Sequence, residues 1–492
     1  MNWHKLLVVA TSLTLAVACS PQQDPHAGSI TGNDNPVVDA LFESWNMPGS
    51  PGCALAVARD GTLVYSRGYG YANLDYDIPN TPQTVFDIAS ITKQFVAASI
   101  SMLALEGKLA LDDNVRKWLP ELPEYEWPIT LRHMIYHTSG LRDYLVLFPL
   151  AGRDDYFPIS RAQILDMMSR QRALVFPPGE QYLYSNTAYM LLALVVERAS
   201  GKDFGAFVEE RIFQPVGMQG SLMYDNYEKI IRRRATGYDR QEDGQVRMVH
   251  NTNFDVPGDG QMYSTVEDLL RWDHYLHGAE KPAIYSMMLT EGTLNNGDKI
   301  DHAQGLFLGE YRGLRTVYHT GSSWGSRSVL IRFVEPGLSI AIACNDGYSN
   351  PLALAKQVAD HYLADQLQPG NDAGEPEEQQ QVMDTASEPL SVTADQLAEF
   401  AGTYFSPELD ATYRFAVVNG ILEVRIEQEP PLKLLPVAAD RFEISFQPDG
   451  WQEPSRVDLE FNRDATGAVT GFGLSLETTR DIEFKPGDSR DE

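Results

Sequence analysis

A serine and a lysine, Ser90 and Lys93, stand three residues apart at the start of a predicted helix. This spacing puts both side chains on one helix face about one turn apart, within reach of a hydrogen bond. In a partly dry cleft near the positive helix end, the charged form of a lysine is disfavoured, so its amine could accept the serine proton. The pair is a candidate nucleophile and base; the alternative is a helix-capping serine followed by a solvated lysine.

Two other short patterns have residue types suited to chemistry. A Phe-Pro-Pro-Gly-Glu stretch at 176–180 leads into Tyr184 and Asn186 just before another predicted helix, where a rigid loop could hold a hydroxyl and an amide. His319, Thr320 and Gly321 close a predicted strand, and the glycine lets a substrate backbone pair closely with the strand edge. The alternatives are an aromatic residue packed beside an asparagine cap, and an ordinary strand end.

Taken in order along the chain, Ser-x-x-Lys, Tyr-x-Asn and His-Thr-Gly resemble the three-motif signature of penicillin-recognising serine hydrolases. Supporting matches are His-Thr-Ser-Gly-Leu at 137–141 and a predicted helix that opens at Ser264 and carries Asp268 and Trp272. The resemblance covers residues 36–365. The tyrosine version is similar to class C β-lactamases, serine D-alanyl-D-alanine carboxypeptidases, D-aminopeptidases and related esterases, rather than to class A enzymes.

The resemblance implies roles for the motif residues. Ser90 would attack a carbonyl of a small-molecule or peptide substrate, Lys93 and Tyr184 would share the proton, and water would release the acyl-enzyme. Which of Lys93 and Tyr184 takes the first proton stays open. Backbone amides of Ser90 and Ser322 would form the oxyanion hole. Asn186 would orient the substrate and Lys93.

His319 departs from the β-lactamase pattern, in which many members carry lysine. Lysine offers a permanent cation to a substrate carboxylate, whereas histidine titrates near neutral pH. The histidine form is similar to that of some carboxypeptidases and aminopeptidases. We therefore expect a D-amino-acid peptide or a carboxylic ester to be preferred to a β-lactam, with a β-lactamase proper as the alternative.

Two other classes of function compete with this prediction. Residues 321–325 match Gly-x-Ser-x-Gly, which would make Ser323 the nucleophile of an α/β-hydrolase if a helix followed. Residues 328–333 predict a strand instead, so a hairpin is expected there. A non-catalytic protein that keeps the fold and binds ligand in its C-terminal part is the second alternative. His133 and His137 suggest no metal site, because no third ligand accompanies them, and no cofactor is predicted.

The elements that must position these residues are visible in the hydrophobic pattern. Asp60-Gly61 predicts a hairpin between strands at 54–59 and 63–67. Helices are predicted at 90–106, 160–170 and 187–199, and a capping box of Ser264 and Glu267 opens another. Three more strands are predicted at the end of this part, at 316–319, 327–334 and 338–344. The expected fold is α/β (α+β): an antiparallel sheet built from both ends, flanked by helices, with an inserted helical region forming a cleft.

The chain as a whole is long enough for two folded units, at 492 residues. Residues 366–391 contain six acidic residues, no basic ones and three prolines, which predicts a disordered linker. Beyond it, alternating strands and a hairpin at Asn419-Gly420 predict a small antiparallel barrel at 392–488, with about eight strands, and this barrel resembles the lipocalin-like appendage of several such hydrolases. The formal charge of −29 argues against nucleic acid as a partner. The oligomeric state is open.

The N-terminal residues predict export. Lys5 precedes an apolar run from Leu6 to Val17, so residues 1–19 resemble a signal peptide, and the polar residues 20–35 a flexible tether. Cys19 closes a lipoprotein-like box, so we expect a periplasmic or membrane-anchored lipoprotein, with ordinary cleavage as the alternative. Cys53 and Cys344 then remain as an even pair, either bridged or free.

Overall fold

The computed structural model describes residues 31–32, 34–153, 159–240, 244–249, 256–369, 390–446, 455–476 and 478–487. The predicted signal peptide with Cys19, most of the predicted tether (20–30 and 33) and most of the predicted linker (370–389) lie outside these residues. Residues 31–32 of the predicted tether form a short edge strand. Among the described helices, none has the length and apolar character needed to cross a membrane.

The first part of the chain contains helices and strands in alternation. Its helices are α1 (Pro36–Leu41), α2 (Lys93–Leu105), α3 (Leu131–Ile135), α4 (Tyr144–Leu150), α5 (Arg161–Ser169), α6 (Asn186–Ser200), α7 (Phe204–Val208), α8 (Gln214–Val216), α9 (Val266–His277), α10 (Tyr285–Met288) and α11 (Pro351–Tyr362). Its strands are β1 (Thr31–Gly32), β2 (Cys53–Arg59), β3 (Thr62–Tyr69), β4 (Tyr71–Asn73), β5 (Ile78–Pro79), β6 (Phe86–Asp87), β7 (Leu222–Met223), β8 (Gly237–Arg240), β9 (Val246–Val249), β10 (Met262–Ser264), β11 (Gly292–Thr293), β12 (Lys299–Ile300), β13 (Phe307–Tyr311), β14 (Leu314–Ser323), β15 (Ser326–Phe333) and β16 (Leu338–Cys344). Short 3-10 turns at Ala89–Thr92 and Val115–Lys117 and a π turn at Glu209–Phe213 complete this part.

A seven-stranded antiparallel sheet is the scaffold of this part. Its strand order is β1-β3-β2-β16-β15-β14-β13, so strands from both ends of the region meet between β2 and β16, as the sequence predicted. The predicted hairpin between β2 and β3 is also confirmed, because Asp60 and Gly61 both take positive φ angles, 47° and 79°. The helices between these strand groups pack on one face, where the largest hydrophobic core lies.

The two remaining cysteines form a disulfide. Cys53 on β2 and Cys344 on β16 are directly opposite in the antiparallel pairing, and their sulfur atoms are 2.10 Å apart. Both residues are fully buried in the second core, between the sheet and helices α1 and α11. Of the two possibilities that the sequence left open, the structure shows the bridge, which ties together residues 291 positions apart.

The capping box predicted at Ser264 and Glu267 is wrong by one residue. Helix α9 begins at Val266, and the cap is Thr265, whose side chain accepts a hydrogen bond from the backbone N–H of Asp268. Ser264 still belongs to strand β10, and its hydroxyl is 2.8 Å from that of Ser221. Both residues could cap a helix, and the strand continues one residue further than the sequence pattern indicated.

The C-terminal part is a nearly closed antiparallel barrel of nine strands, one more than predicted. After the short helix α12 (Ala394–Ala398) come β17 (Gly402–Ser406), β18 (Ala411–Val418), β19 (Ile421–Ile426), β20 (Leu432–Lys433), β21 (Leu435–Pro436), β22 (Arg441–Phe446), β23 (Ser455–Arg463), β24 (Val469–Leu476) and β25 (Thr479–Pro486). Residues 432–436 supply both edge strands of this sheet, because β20 pairs with β19 and β21 with β22. Buried aromatic rings fill the interior; they include Tyr404, Phe415, Phe442, Phe461, Phe472 and Phe484.

Candidate active site

Ser90 lies in a short 3-10 turn that runs directly into helix α2. Ala89, just before it, has a φ of +46°, which is unusual for a residue with a side chain other than Asn or Asp. The turn is fixed from both sides: the carboxylate of Asp87 accepts from Ala89 N at 2.9 Å, and Thr92 Oγ1 donates to Ala89 O at 2.6 Å. Ser90 is therefore presented by a rigid loop at the helix start.

The amine of Lys93 lies among hydrogen-bond acceptors, although the residue is fully buried. Its Nζ lies 3.0 Å from Ser90 Oγ, 2.9 Å from Asn186 Oδ1 and 2.7 Å from the backbone oxygen of Asp259. The amide oxygen and the backbone oxygen can only accept, so they take two N–H groups. A neutral amine has a lone pair, so at this distance it can accept the proton of the Ser90 hydroxyl. This geometry suits proton transfer from Ser90 to Lys93.

The second motif lies on the loop before helix α6 and at its first turn. Ser185 caps the helix by accepting from Ala188 N, and Asn186 follows as the first helical residue, which aims its side chain at Lys93. The Tyr184 ring lies beside the same amine, with its centroid 4.8 Å from Lys93 Nζ. The structure therefore brings together four of the predicted residues: Ser90, Lys93, Tyr184 and Asn186.

The supporting His-Thr-Ser-Gly-Leu stretch positions the second motif. His137 takes a positive φ of 57°, its Nδ1 accepts from Ser185 N at 3.0 Å, and its backbone oxygen accepts from Leu183 N at 2.9 Å. Its ring stacks on Tyr184 with centroids 4.4 Å apart. Complete burial, with the charges of His302 and Lys93 in second place, holds the pKa of His137 well below its usual value. A neutral ring can accept from Ser185.

The third motif lies at the end of strand β14. His319 is fully buried, and its Nδ1 lies 2.6 Å from the backbone oxygen of Thr320, so Nδ1 carries the proton. Burial, followed by the charge of Lys93, lowers the pKa of His319 to about 3. Gly321 lies so close to the Ser90 turn that a Cβ there would be 2.2 Å from the Ile88 oxygen. Ser322, the predicted oxyanion residue, follows and is exposed.

Two buried carboxylic acids near Lys93 were not predicted from the sequence. Asp259 binds Lys93 through its backbone oxygen, and its carboxylate accepts from the Tyr144 hydroxyl at 3.0 Å. Burial raises the pKa of Asp259 to about 6, with Lys93 opposing this rise. Asp143 accepts from Asn186 N at 2.7 Å, and burial raises its pKa as well. The available signals were the position of Asp143 two residues after the supporting motif, and of Asp259 between two glycines.

The alternative nucleophile from the sequence, Ser323, loses its structural basis. Ser323 lies at the tip of the β14–β15 hairpin, paired with Ser326, and not between a strand and a helix as a Gly-x-Ser-x-Gly nucleophile requires. His133 contributes to the cap of helix α3, where its Nδ1 accepts from Thr130 N. The part of the chain that the structure describes contains no group of three or more His, Cys, Asp or Glu side chains placed to hold a metal ion.

Comparison of the sequence with known proteins gives relatives that fit this geometry. The β-lactamase family model matches residues 38–365. A penicillin-binding protein of Bacillus subtilis is 31% identical over 323 residues, which are 61% of this chain and 69% of that protein. A D-aminopeptidase of Gluconobacter oxydans is 28% identical over 313 residues, 63% of this chain; the match spans 58% of the length of that relative, less than two thirds.

Solved structures show the same fold. The octameric penicillin-binding protein homologue from Pyrococcus abyssi superposes with a TM-score of 0.59 at 22% identity, over 91% of this chain and 98% of its own. The penicillin-binding protein from Bacillus halodurans gives a TM-score of 0.57 at 25% identity, over 68% of this chain and 100% of its own. The motifs, the sheet and the matched residues agree, and this chain belongs to the β-lactamase family.

Proposed function

We propose that the chain is a serine hydrolase that forms an acyl-enzyme at Ser90 and acts on a D-amino-acid peptide or amide, or on a carboxylic ester. The observation that carries the proposal is the placement of Lys93 Nζ, 3.0 Å from Ser90 Oγ and bound to Asn186 Oδ1 and Asp259 O. In this arrangement a neutral Lys93 amine lies within hydrogen-bond distance of the Ser90 hydroxyl and can accept its proton.

The steps follow from these contacts. Ser90 Oγ forms a bond to the substrate carbonyl carbon while its proton moves to Lys93 Nζ. The carbonyl oxygen becomes an oxyanion, for which the backbone amides of Ser90 and Ser322 are the proposed donors. The proton on Lys93 then passes, directly or through the neighbouring Tyr184 hydroxyl, to the leaving amine or alkoxide. Water then attacks the acyl-enzyme carbonyl and gives a proton to Lys93 Nζ. The bond between the acyl carbon and Ser90 Oγ breaks, the proton passes to Oγ, and the carboxylic acid leaves.

The state of His319 supports the choice of substrate. A buried histidine with a pKa of about 3 is neutral at physiological pH, so it offers no cation to a substrate carboxylate. In the lysine version of this motif, which many β-lactamases carry, the lysine offers such a cation to the carboxylate of the substrate. Amides and esters that present no carboxylate at this position therefore suit the site better. The similarity to D-aminopeptidases supports the D-amino-acid class.

The test is the mass of the intact protein after exposure to a fluorophosphonate and, separately, to a penicillin. We expect the fluorophosphonate to add one adduct to the wild type and to the matched control Ser323→Ala, and none to folded Ser90→Ala. An adduct that persists without Ser90 would sink the nucleophile assignment. A stable penicillin adduct would move the substrate towards D-alanyl-D-alanine peptides, and rapid penicillin turnover would make the chain a β-lactamase proper.

A second assay separates the remaining substrate classes. Release of a chromophore from D-alanyl and L-alanyl anilides and from a short-chain acyl ester would be compared for the wild type and Ser90→Ala. We expect turnover of the D-alanyl anilide or of the ester, and loss of that turnover in the variant. Labelling of Ser90 without turnover of any of these substrates would favour a protein that binds but does not hydrolyse.

A further inference from the structure

The barrel contacts the hydrolase part through a buried ion pair. Glu408, in the loop between β17 and β18, lies 2.6 Å from the Arg142 guanidinium, and the two side chains are 4% and 0% exposed. The other guanidinium nitrogen donates to the backbone oxygens of Arg480 and Asp481 on strand β25, at 2.6 and 3.2 Å. Arg142 is therefore held by the barrel at three points, in a place where water does not screen the charges.

Glu408 also binds the segment after helix α5. Its carboxylate accepts from Arg172 N at 2.7 Å, and its backbone oxygen accepts from Gln171 Nε2 at 3.1 Å. The Gln171 side chain in turn accepts from the Arg142 guanidinium at 2.9 Å. A few residues later, Val175 N donates to Gly140 O, which lies two residues before Arg142. One glutamate of the barrel therefore fixes two neighbouring segments of the hydrolase part.

Hydrogen bonds connect Arg142 and the residue after it to the start of helix α6, where Asn186 lies. The backbone oxygen of Arg142 accepts from Thr187 Oγ1 at 2.9 Å, and the same hydroxyl accepts from Tyr144 N at 2.8 Å. The next side chain, Asp143, accepts from Asn186 N at 2.7 Å. Asn186 Oδ1 is one of the two fixed acceptors of the Lys93 amine.

The same segment also reaches the second acceptor. The hydroxyl of Tyr144 donates to the Asp259 carboxylate at 3.0 Å, and the Asp259 backbone oxygen is 2.7 Å from Lys93 Nζ. Both acceptors that orient the amine are thus bound by the two residues that directly follow Arg142. A site of this kind loses rate when its groups move by a fraction of an ångström.

We propose that Glu408 is a positioning residue for the Ser90–Lys93 pair, acting through Arg142 and the segment 142–144. The barrel is then a required part of the active site although it supplies no group to the reaction. The inference rests on the proposed function of Ser90. A positioning role explains why a charge pair is buried at the junction of the two parts. Apolar residues there would avoid the free energy that is needed to remove two charges from water.

The test uses the full chain and the rate at which a fluorophosphonate labels Ser90, resolved into the inactivation rate constant and the binding constant of the probe. Glu408→Gln keeps the shape and removes the charge, and Asp458→Asn is the matched control, since Asp458 pairs with Arg441 within the barrel. We expect the inactivation rate constant of Glu408→Gln to fall about tenfold across pH 6–9 with the binding constant unchanged. The control should match the wild type.

The double variant Arg142→Met/Glu408→Leu separates positioning from stability. Replacing both charges by apolar side chains should return the thermal midpoint towards that of the wild type, because no buried charge is left alone. The inactivation rate constant should stay low, since the segment has lost its anchor. Recovery of both quantities, or a Glu408→Gln rate within twofold of the wild type, would overturn the inference alone. Absence of labelling in the wild type would overturn the proposed function and this inference with it.

Discussion

The surroundings of Lys93 and the interior of the barrel are both buried, but they differ in what they bury. Around Lys93 lie an amide, a backbone oxygen and the carboxylic acids Asp143 and Asp259, all joined by hydrogen bonds. Inside the barrel, aromatic rings such as Phe472 and Phe484 stack with centroids 4.4 Å apart. Burying polar groups costs free energy unless each group finds a hydrogen-bond partner, whereas burying aromatic rings is favourable by itself. Substitutions should therefore affect rate in the first region and stability in the second.

The sharpest test of this contrast is Lys93→Met, with Lys433→Met on barrel strand β20 as its counterpart. The first removes the proposed base, so labelling of Ser90 by a fluorophosphonate should slow by about 10³-fold. Lys433 is an exposed residue of the barrel and has no role in the proposed reaction, so its variant should be labelled at the same rate as the wild type. The measurement is the labelling rate at pH 8 for variants whose circular dichroism matches the wild type. A Lys93→Met rate within tenfold of the wild type would mean that another group accepts the proton.

The reverse behaviour is expected for Phe472→Ala in the barrel. Phe472 is fully buried and contacts several other rings, so the free energy of unfolding should fall by about 3–5 kcal/mol. Below the new unfolding transition, labelling of Ser90 should remain within twofold of the wild type, because the Glu408 contacts are retained. Urea unfolding followed by fluorescence gives the first quantity. A large loss of rate without loss of stability would break the contrast.

The same substitution, glycine to alanine, can be made once in each region, at Gly321 beside the Ser90 turn and at Gly473 in the barrel. At Gly321 a Cβ would be 2.2 Å from the Ile88 oxygen and 2.3 Å from Ser328 Oγ, so the turn that carries Ser90 must move. A displacement of this size should slow labelling by about 10²-fold. At Gly473 on barrel strand β24 nothing lies within 4 Å of the added Cβ, and the rate should be unchanged. Equal rates for the two variants would show that the Gly321 contact is tolerated.

The residues proposed to react could be selected from the sequence because three motifs in order resemble a known signature, which none of them does alone. Ser90, Tyr184 and Asn186 all lie beside Lys93 in the structure, and their roles stay predictions. The second acceptor of Lys93 was not predictable, because a backbone oxygen such as that of Asp259 has no residue signature. The Arg142–Glu408 pair was not predictable either, because no local pattern relates two residues that are 266 positions apart.

The fold was predictable to the same depth. The alternation of strands and the Asp60-Gly61 turn depend on local geometry, so the hairpin and the sheet from both ends were expected correctly. The helix cap was placed one residue early, because Ser264 and Thr265 can both cap a helix and only the structure shows that Ser264 belongs to the strand. The ninth barrel strand was missed because β20 and β21 have two residues each and show no alternation.

The smallest expected effect is a shift in pH dependence caused by Asp259→Asn. The variant keeps the backbone oxygen that binds Lys93 and an acceptor for Tyr144, and it removes a negative charge near the amine. Because that charge favours the protonated amine, the acidic limb of the labelling rate should move to lower pH. Asp458→Asn in the barrel should leave the limb unmoved. A limb that does not shift in Asp259→Asn would show that the Asp259 charge does not act on the base.

Stability gives an independent check of the same residue. The pKa of Asp259 is about 6 in the folded protein, against about 3.9 in an unfolded chain. The folded state therefore binds this proton more tightly, and its contribution to stability declines as pH rises from about 4 to about 6. Asp259→Asn has no proton to lose, so its free energy of unfolding, measured relative to the wild type, should rise over that interval. A constant difference across it would mean that Asp259 is ionised throughout, and that the amine of Lys93 has a permanent counter-charge.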